Sequence, residues 1–221
     1  MAERAATGLR ERKKERTRQL IAETARSLFQ QHGFEYVTVA RVAATADVSE
    51  ATVYNYFPTK EDLFYSGMEV FEARLIEAIR ARPAGETALA AFSRVIIEGT
   101  RRLADPDVAD VIRDATLMIE ASPALRARER EVLARHTVLL AELLASETRA
   151  QPDDAVPLAV ASAMMGAQRA LVAATHARIL AGERGPKLAA ATRRQAHKTF
   201  ALLERGLAGY AAKRAGPASS V

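Results

Sequence analysis

The spacing of its apolar residues constrains this chain more than any other feature. They recur every three or four positions along most of its length, and no run alternates β-branched with polar residues as a half-buried strand does. Alanine and arginine, both strong helix formers, are abundant throughout. The expected fold is all-α. Glycine, proline and capping residues divide the pattern into about nine helices. The first, Arg10 to His32, turns Leu20, Ile21, Ala25, Leu28 and Phe29 to one side and stops at Gly33. A second spans Thr38 to about Ala46, a third follows Ser49 as N-cap, and Thr59 to Asp62 has the form of a capping box opening a fourth. Pro83 closes that one. Leu89 to Leu103 reads as one helix, Pro106 and Pro123 each start another, and two long helices cover about Ala155–Ala181 and Pro186–Lys213.

Composition narrows the chemistry. With 221 residues and 49% hydrophobic content the chain can bury a sizeable core, while the absence of cysteine excludes disulfides, thiolate zinc sites, iron–sulfur clusters and a cysteine nucleophile. The N-terminus has no apolar stretch behind its charges, and no window offers about 18 uninterrupted apolar residues, so a cytoplasmic protein without a membrane partner is expected. Net charge is only +5, yet Arg4 to Arg18 is locally basic. Such a cluster suits an acidic partner, nucleic acid ahead of membrane, and equally suits a solvated tail. Nine of the twelve aromatic residues precede residue 72, which separates a small ring-packed unit from an alanine-rich remainder.

Thr38 to Phe57, TVARVAATADVSEATVYNYF, combines a short helix, a turn at Ala46-Asp47-Val48 and a second short helix. That is the layout of a helix-turn-helix, whose second helix enters the major groove of DNA. Val42, Val48, Val53 and Phe57 are spaced to hold the pair together. Glu50, Ala51, Thr52, Tyr54, Asn55 and Tyr56 supply an outward face for bases, and Thr38 and Lys60 are placed for phosphate. Phe57 also fits a core role, Tyr54 a partly buried one, and Glu50 is either a reader of cytosine or a bystander.

These residues resemble the tetracycline-repressor-like (TetR) family of bacterial transcription regulators. The match is carried by Phe29 and Gly33-Phe34, by Thr38-Val39 to Ala43, and by VSEATVYNYFPTKEDLF from Val48 to Phe64, about the first quarter of the chain. Asp47 departs from the glycine usual in the family, although aspartate tolerates the left-handed conformation. The resemblance adds Val39, Arg41 and Ser49 to the candidate DNA contacts. It implies a disordered tail over 1–9, a DNA-binding domain over 10–57, a linking helix over 58–82, a ligand-binding and dimerisation domain over 83–214, and a disordered end over 215–221.

By the same resemblance the C-terminal helices enclose a ligand. Candidates are Phe92, Ile96, Met118, Met164, Met165, Gln168, Arg169, Val172 and His176, methionine suiting an adaptable apolar pocket and an inward arginine an anionic group. Ala163, Gly166, Ala170, Leu171, Phe200, Leu203 and Leu207 are the candidates for pairing two copies. Arg126, Arg128 and Arg130 either meet phosphates of an acyl-coenzyme A type ligand or form a salt-bridged face with Glu129 and Glu131. Asp107, Asp110 and Asp114 share a helix face in the manner of a magnesium-binding cluster, or favour the helix dipole near its start. No cofactor, metal site or enzymatic activity is expected: the four histidines lack ligand spacing, and no nucleotide fingerprint or nucleophile motif is present. The function expected is that of a ligand-responsive repressor, a homodimer on a double-stranded palindromic operator, released by a small apolar or acyl-type effector. The alternative is a helical ligand-binding or protein-interaction module that no longer reads DNA.

Overall fold

The computed structural model describes the backbone of residues 2–207 and the side chains of residues 12–206. Among the described residues there are nine α-helices, one 3₁₀ helix and no strand. They are α1 (Ala2–His32), α2 (Val39–Thr45), α3 (Glu50–Tyr56), α4 (Lys60–Arg80), α5 (Ala88–Gly99), the 3₁₀ helix (Thr100–Ala104), α6 (Pro106–Ala121), α7 (Pro123–Thr148), α8 (Val156–Leu180) and α9 (Gly185–Leu207). Two differences from the expected elements have local causes. Helix α1 starts at Ala2, so residues 2–9, expected as a disordered tail, are helical, in keeping with the propensity of their Ala, Glu and Arg. The helix expected through Leu103 tightens after Gly99 into the 3₁₀ helix, which turns both Thr100 and Leu103 inward. Helix α9 is described to Leu207, and the tail expected over 215–221 lies outside the described residues.

The capping signals act as their chemistry requires. Thr59 Oγ1 accepts from the Asp62 amide at 3.2 Å, and Asp62 Oδ2 accepts from the Thr59 amide at 3.0 Å, a reciprocal box closed by aspartate. Thr87 caps α5 by accepting from the Ala90 amide at 3.1 Å. Gly33 takes φ of 81°, a left-handed stop that a side chain would strain.

The chain divides into two compact units. One runs up to Glu69 and includes Leu117–Glu129; the other comprises Val70–Thr116 and the chain from Arg130 onward. The division therefore falls inside α4, α6 and α7 and not at the expected linker ends. The first unit is built on rings: Phe29 packs on Phe34 at 5.2 Å between centroids, Phe34 on Phe64 edge-on at 5.8 Å, and Phe64 on Tyr65 at 5.1 Å. Tyr65 is buried and donates to the Leu125 carbonyl at 3.0 Å, and Leu125 itself is wholly buried. Asp62 also accepts from Arg128 at 2.5 Å, so 117–129 is tied to the first unit at two points.

In the second unit, α5, α7, α8 and α9 contribute Leu89, Phe92, Leu140, Leu144, Met164 and Phe200 to an apolar core. Helix α8 is long and apolar enough to cross a membrane by length and composition alone. Here it supplies Val160, Ala161, Met164, Met165 and Leu171 to that core.

Candidate nucleic-acid interface

Thr38 adopts extended backbone, and its Oγ1 accepts from the Arg41 amide at 3.2 Å, starting α2 at Val39. The turn that follows depends on Asp47, whose φ of 55° lies in the left-handed region. Ser49 then caps α3: its Oγ accepts from the Thr52 amide at 3.0 Å and lies 2.8 Å from Thr52 Oγ1. Inward, Val42, Val53 and Phe57 are essentially inaccessible, with Ala43 and Ala46 beside them. Outward lie Thr38, Arg41, Ser49, Glu50, Ala51, Tyr54 and Asn55, all exposed, with Thr52 and Tyr56 half-buried. A short rigid helix thus presents one polar face, the geometry a major groove accepts.

Two predicted contacts are placed differently. The Val39 side chain is buried, because α2 needs it against the core, which leaves only its backbone for DNA. Lys60 is half-buried with Nζ 4.2 Å from the Phe34 ring centroid, and burial lowers its pKa against the opposing pull of Glu35 and Glu61. Tyr36, in the turn after Gly33, is 83% exposed. Arg41 is oriented by His32, whose Nε2 lies 2.8 Å from its guanidinium.

The candidate ligand residues separate into groups. Ile96, Gln168, Val172 and His176 line one cleft of about 190 Å3, together with Phe71 and Thr192, which were not among the ligand candidates. Phe92, Met164 and Met165 are buried in the apolar core instead, since they lie on the inward stripes of α5 and α8. Arg169 is exposed and shares a different recess with Arg130. Met118 belongs to the other unit. Of the remaining arginines, Arg128 pairs with Asp62 and Arg126 donates to the Glu120 carbonyl. Asp110 meets Arg113 at 2.9 Å and Arg184 at 3.2 Å, and Asp114 meets Arg113 at 3.3 Å, so guanidiniums take up both carboxylates.

The candidate pairing residues separate too. Leu171 and Phe200 are buried within their own chain and Leu203 packs on the same core. Ala170 is exposed, Ala163 and Gly166 are half-buried, and the side chain of Leu207 lies outside the described residues.

A capped short helix, a left-handed turn and a second capped helix with a polar outer face define the class of helix-turn-helix DNA-binding regulators. The chain belongs to the TetR family: residues 21–66 match the model described as bacterial regulatory proteins, tetR family, and residues 86–208 match the MftR C-terminal domain. It is 30% identical over 157 residues to the HTH-type transcriptional regulator TcmR of Streptomyces glaucescens, covering 66% of this chain and 67% of TcmR. It is 32% identical over 119 residues to the nucleoid occlusion factor SlmA of Pasteurella multocida, covering 52% of this chain and 58% of SlmA. The structure of the transcriptional regulator FadR from Bacillus subtilis, solved with stearoyl-CoA, shares the fold with a TM-score of 0.52 at 22% identity, covering 82% of this chain and 97% of FadR. TcmR and FadR are transcriptional regulators, and the TetR family is one of bacterial regulatory proteins.

Proposed function

We propose that this chain is a ligand-responsive one-component repressor that works in the cytoplasm, binds a palindromic operator as a homodimer and is released by a small apolar or acyl-type effector. The observation that carries the reading is the outward face of α3: Glu50, Ala51, Tyr54 and Asn55 are exposed while Val53, on the same short helix, is buried. Of the candidate contacts, Arg41, Thr38 and Ser49 flank that face and suit phosphate, while Tyr54, Asn55 and Tyr56 suit base edges.

Pairing is supported by what α8 and α9 leave uncovered. Ala170 is exposed, a Cβ at Gly166 would meet nothing within 4 Å, and Leu158 and Leu202 are 51% and 62% exposed. Small residues and exposed leucines on α8 and α9 suit the close approach of a second copy. Helices α4, α6 and α7 each run through the division between the units, so a ligand favouring one arrangement of the second unit has a covalent route to the first. The coupling needed is about 1 to 3 kcal/mol.

Selection of bound fragments from a random DNA pool, followed by a salt titration on the best fragment, tests this reading. Enrichment of a palindrome bound about a thousandfold more tightly than random DNA is the expected result. Weak, uniform, salt-sensitive binding would overturn it in favour of a helical module that no longer reads DNA.

A further inference from the structure

Helix α9 gathers Arg193, Arg194 and His197 on one side, because residues three and four apart are neighbours on a helix surface. Arg101, in the 3₁₀ helix that follows α5, joins them, and with Ile97 and Glu98 they line an open recess of about 440 Å3 in the second unit. The backbone beneath is held firmly. Thr192 and Ala196 of α9 are buried, and Phe92 of α5 meets Phe200 of α9 edge-on at 5.9 Å between centroids.

Charge at this recess is uncompensated. Elsewhere in the same unit arginines find carboxylates: Arg94 pairs with Glu86, Arg178 with Glu183 and Arg184 with Asp110. Arg101, Arg193 and Arg194 have no ion-pair partner among the described residues, and Glu98, the one carboxylate on the wall, pairs with none of them. Like charges gathered in one place repel and weaken the fold, so the cluster is unfavourable until an anion enters it. A guanidinium binds phosphate through two parallel N–H donors, and three guanidiniums match more than one phosphoryl group. A concave site suits a small anion, whereas a duplex needs cations spaced along its backbone. We propose that the recess binds a small ligand bearing a diphosphate or triphosphate group, held by Arg101, Arg193 and Arg194. Its wall shares no residue with the cleft lined by Ile96 and Val172, and the inference stands whether or not that cleft takes an effector.

The test titrates inorganic pyrophosphate and orthophosphate into the full chain by calorimetry at fixed ionic strength. Pyrophosphate is expected to bind at least about tenfold more tightly, because its second phosphoryl group meets a further guanidinium. Arg101→Gln and Arg194→Gln, at exposed positions, should each weaken pyrophosphate at least about fivefold without lowering the melting temperature. Lys198→Gln, which removes a charge from α9 outside the recess, should change it less than about twofold. Arg101→Lys keeps the charge but not the fork, and should resemble Arg101→Gln more than the unmodified protein. Equal binding of the two anions, or no binding of either at millimolar concentration, overturns the inference. So does a loss in Lys198→Gln as large as in Arg194→Gln, which would reduce the site to general attraction by a basic helix. Binding of a random DNA duplex weakened by Arg194→Gln as strongly as pyrophosphate would assign the cluster to a nucleic-acid backbone and overturn it too.

Discussion

The Arg82 guanidinium meets both carboxylate oxygens of Glu147, at 2.9 and 2.5 Å, and also donates to the carbonyls of Glu86 at 3.0 Å and Ile79 at 2.5 Å. The burial is unequal: the Arg82 side chain is 1% exposed and that of Glu147 25%. Removing Glu147 takes a bidentate carboxylate from a buried cation, so Glu147→Ala is expected to cost about 3 kcal/mol in urea unfolding. The double change Arg82→Met with Glu147→Leu, which removes both charges, should recover most of that loss. A loss below about 1 kcal/mol for Glu147→Ala would mean that the guanidinium's remaining partners suffice.

Alkaline stability should depend on Tyr65. Burial, with Glu129 adding to it, raises the phenol's pKa well above the ordinary 10.0, so the folded state keeps a proton that the unfolded state loses. The contribution is complete below about pH 10 and is lost as pH rises beyond it. Between about pH 10 and 12 the unmodified protein should lose up to about 1.4 kcal/mol per pH unit more than Tyr65→Phe. Below pH 9, Tyr65→Phe should cost about 1 kcal/mol for the bond to the Leu125 carbonyl. Parallel pH profiles would show that the phenol ionises freely in the fold.

The turn of the helix-turn-helix makes its own prediction. Asp47 holds φ of 55°, where glycine is unstrained. Asp47→Gly should therefore raise the melting temperature slightly, a gain of about 1 kcal/mol or less, and Asp47→Val should lower it. A destabilised Asp47→Gly would show that the carboxylate contributes more than the backbone strain removes.

Tyr56 and Lys60 should differ in how they affect DNA. Tyr56→Ala is expected to lower operator affinity and alter preference among bases, as a groove contact does. Lys60→Ala should weaken all sequences alike and reduce the salt slope by about one. An unchanged slope together with reduced thermal stability would assign Lys60 to the Phe34 ring and not to phosphate.

What could be read from the sequence follows from the range of the forces involved. Caps and turns are local, so Thr38, Ser49, Thr59 and Asp47 announce their roles within three or four residues. Helical period identifies an apolar stripe but not its neighbour. The same period suits Phe92 and Met164 to a cleft and Leu171 and Phe200 to an interface, and all four lie in one buried core. The buried side-chain oxygen of Gln168, which has no hydrogen-bond partner among the described residues, has no signature at all, because being unsatisfied is a property of everything that surrounds an atom.

The tie between Tyr65 and Leu125 bears on how such a protein can be recombined. The unit that carries the helix-turn-helix is discontinuous, with a stretch from Leu117 to Glu129 contributed from deep within the rest of the chain. Cutting after α4 would strand Leu125 and leave the Tyr65 hydroxyl without its acceptor. A chimaera that borrows a relative's reading head must therefore transplant two segments, and the thirteen-residue graft decides whether the borrowed head folds.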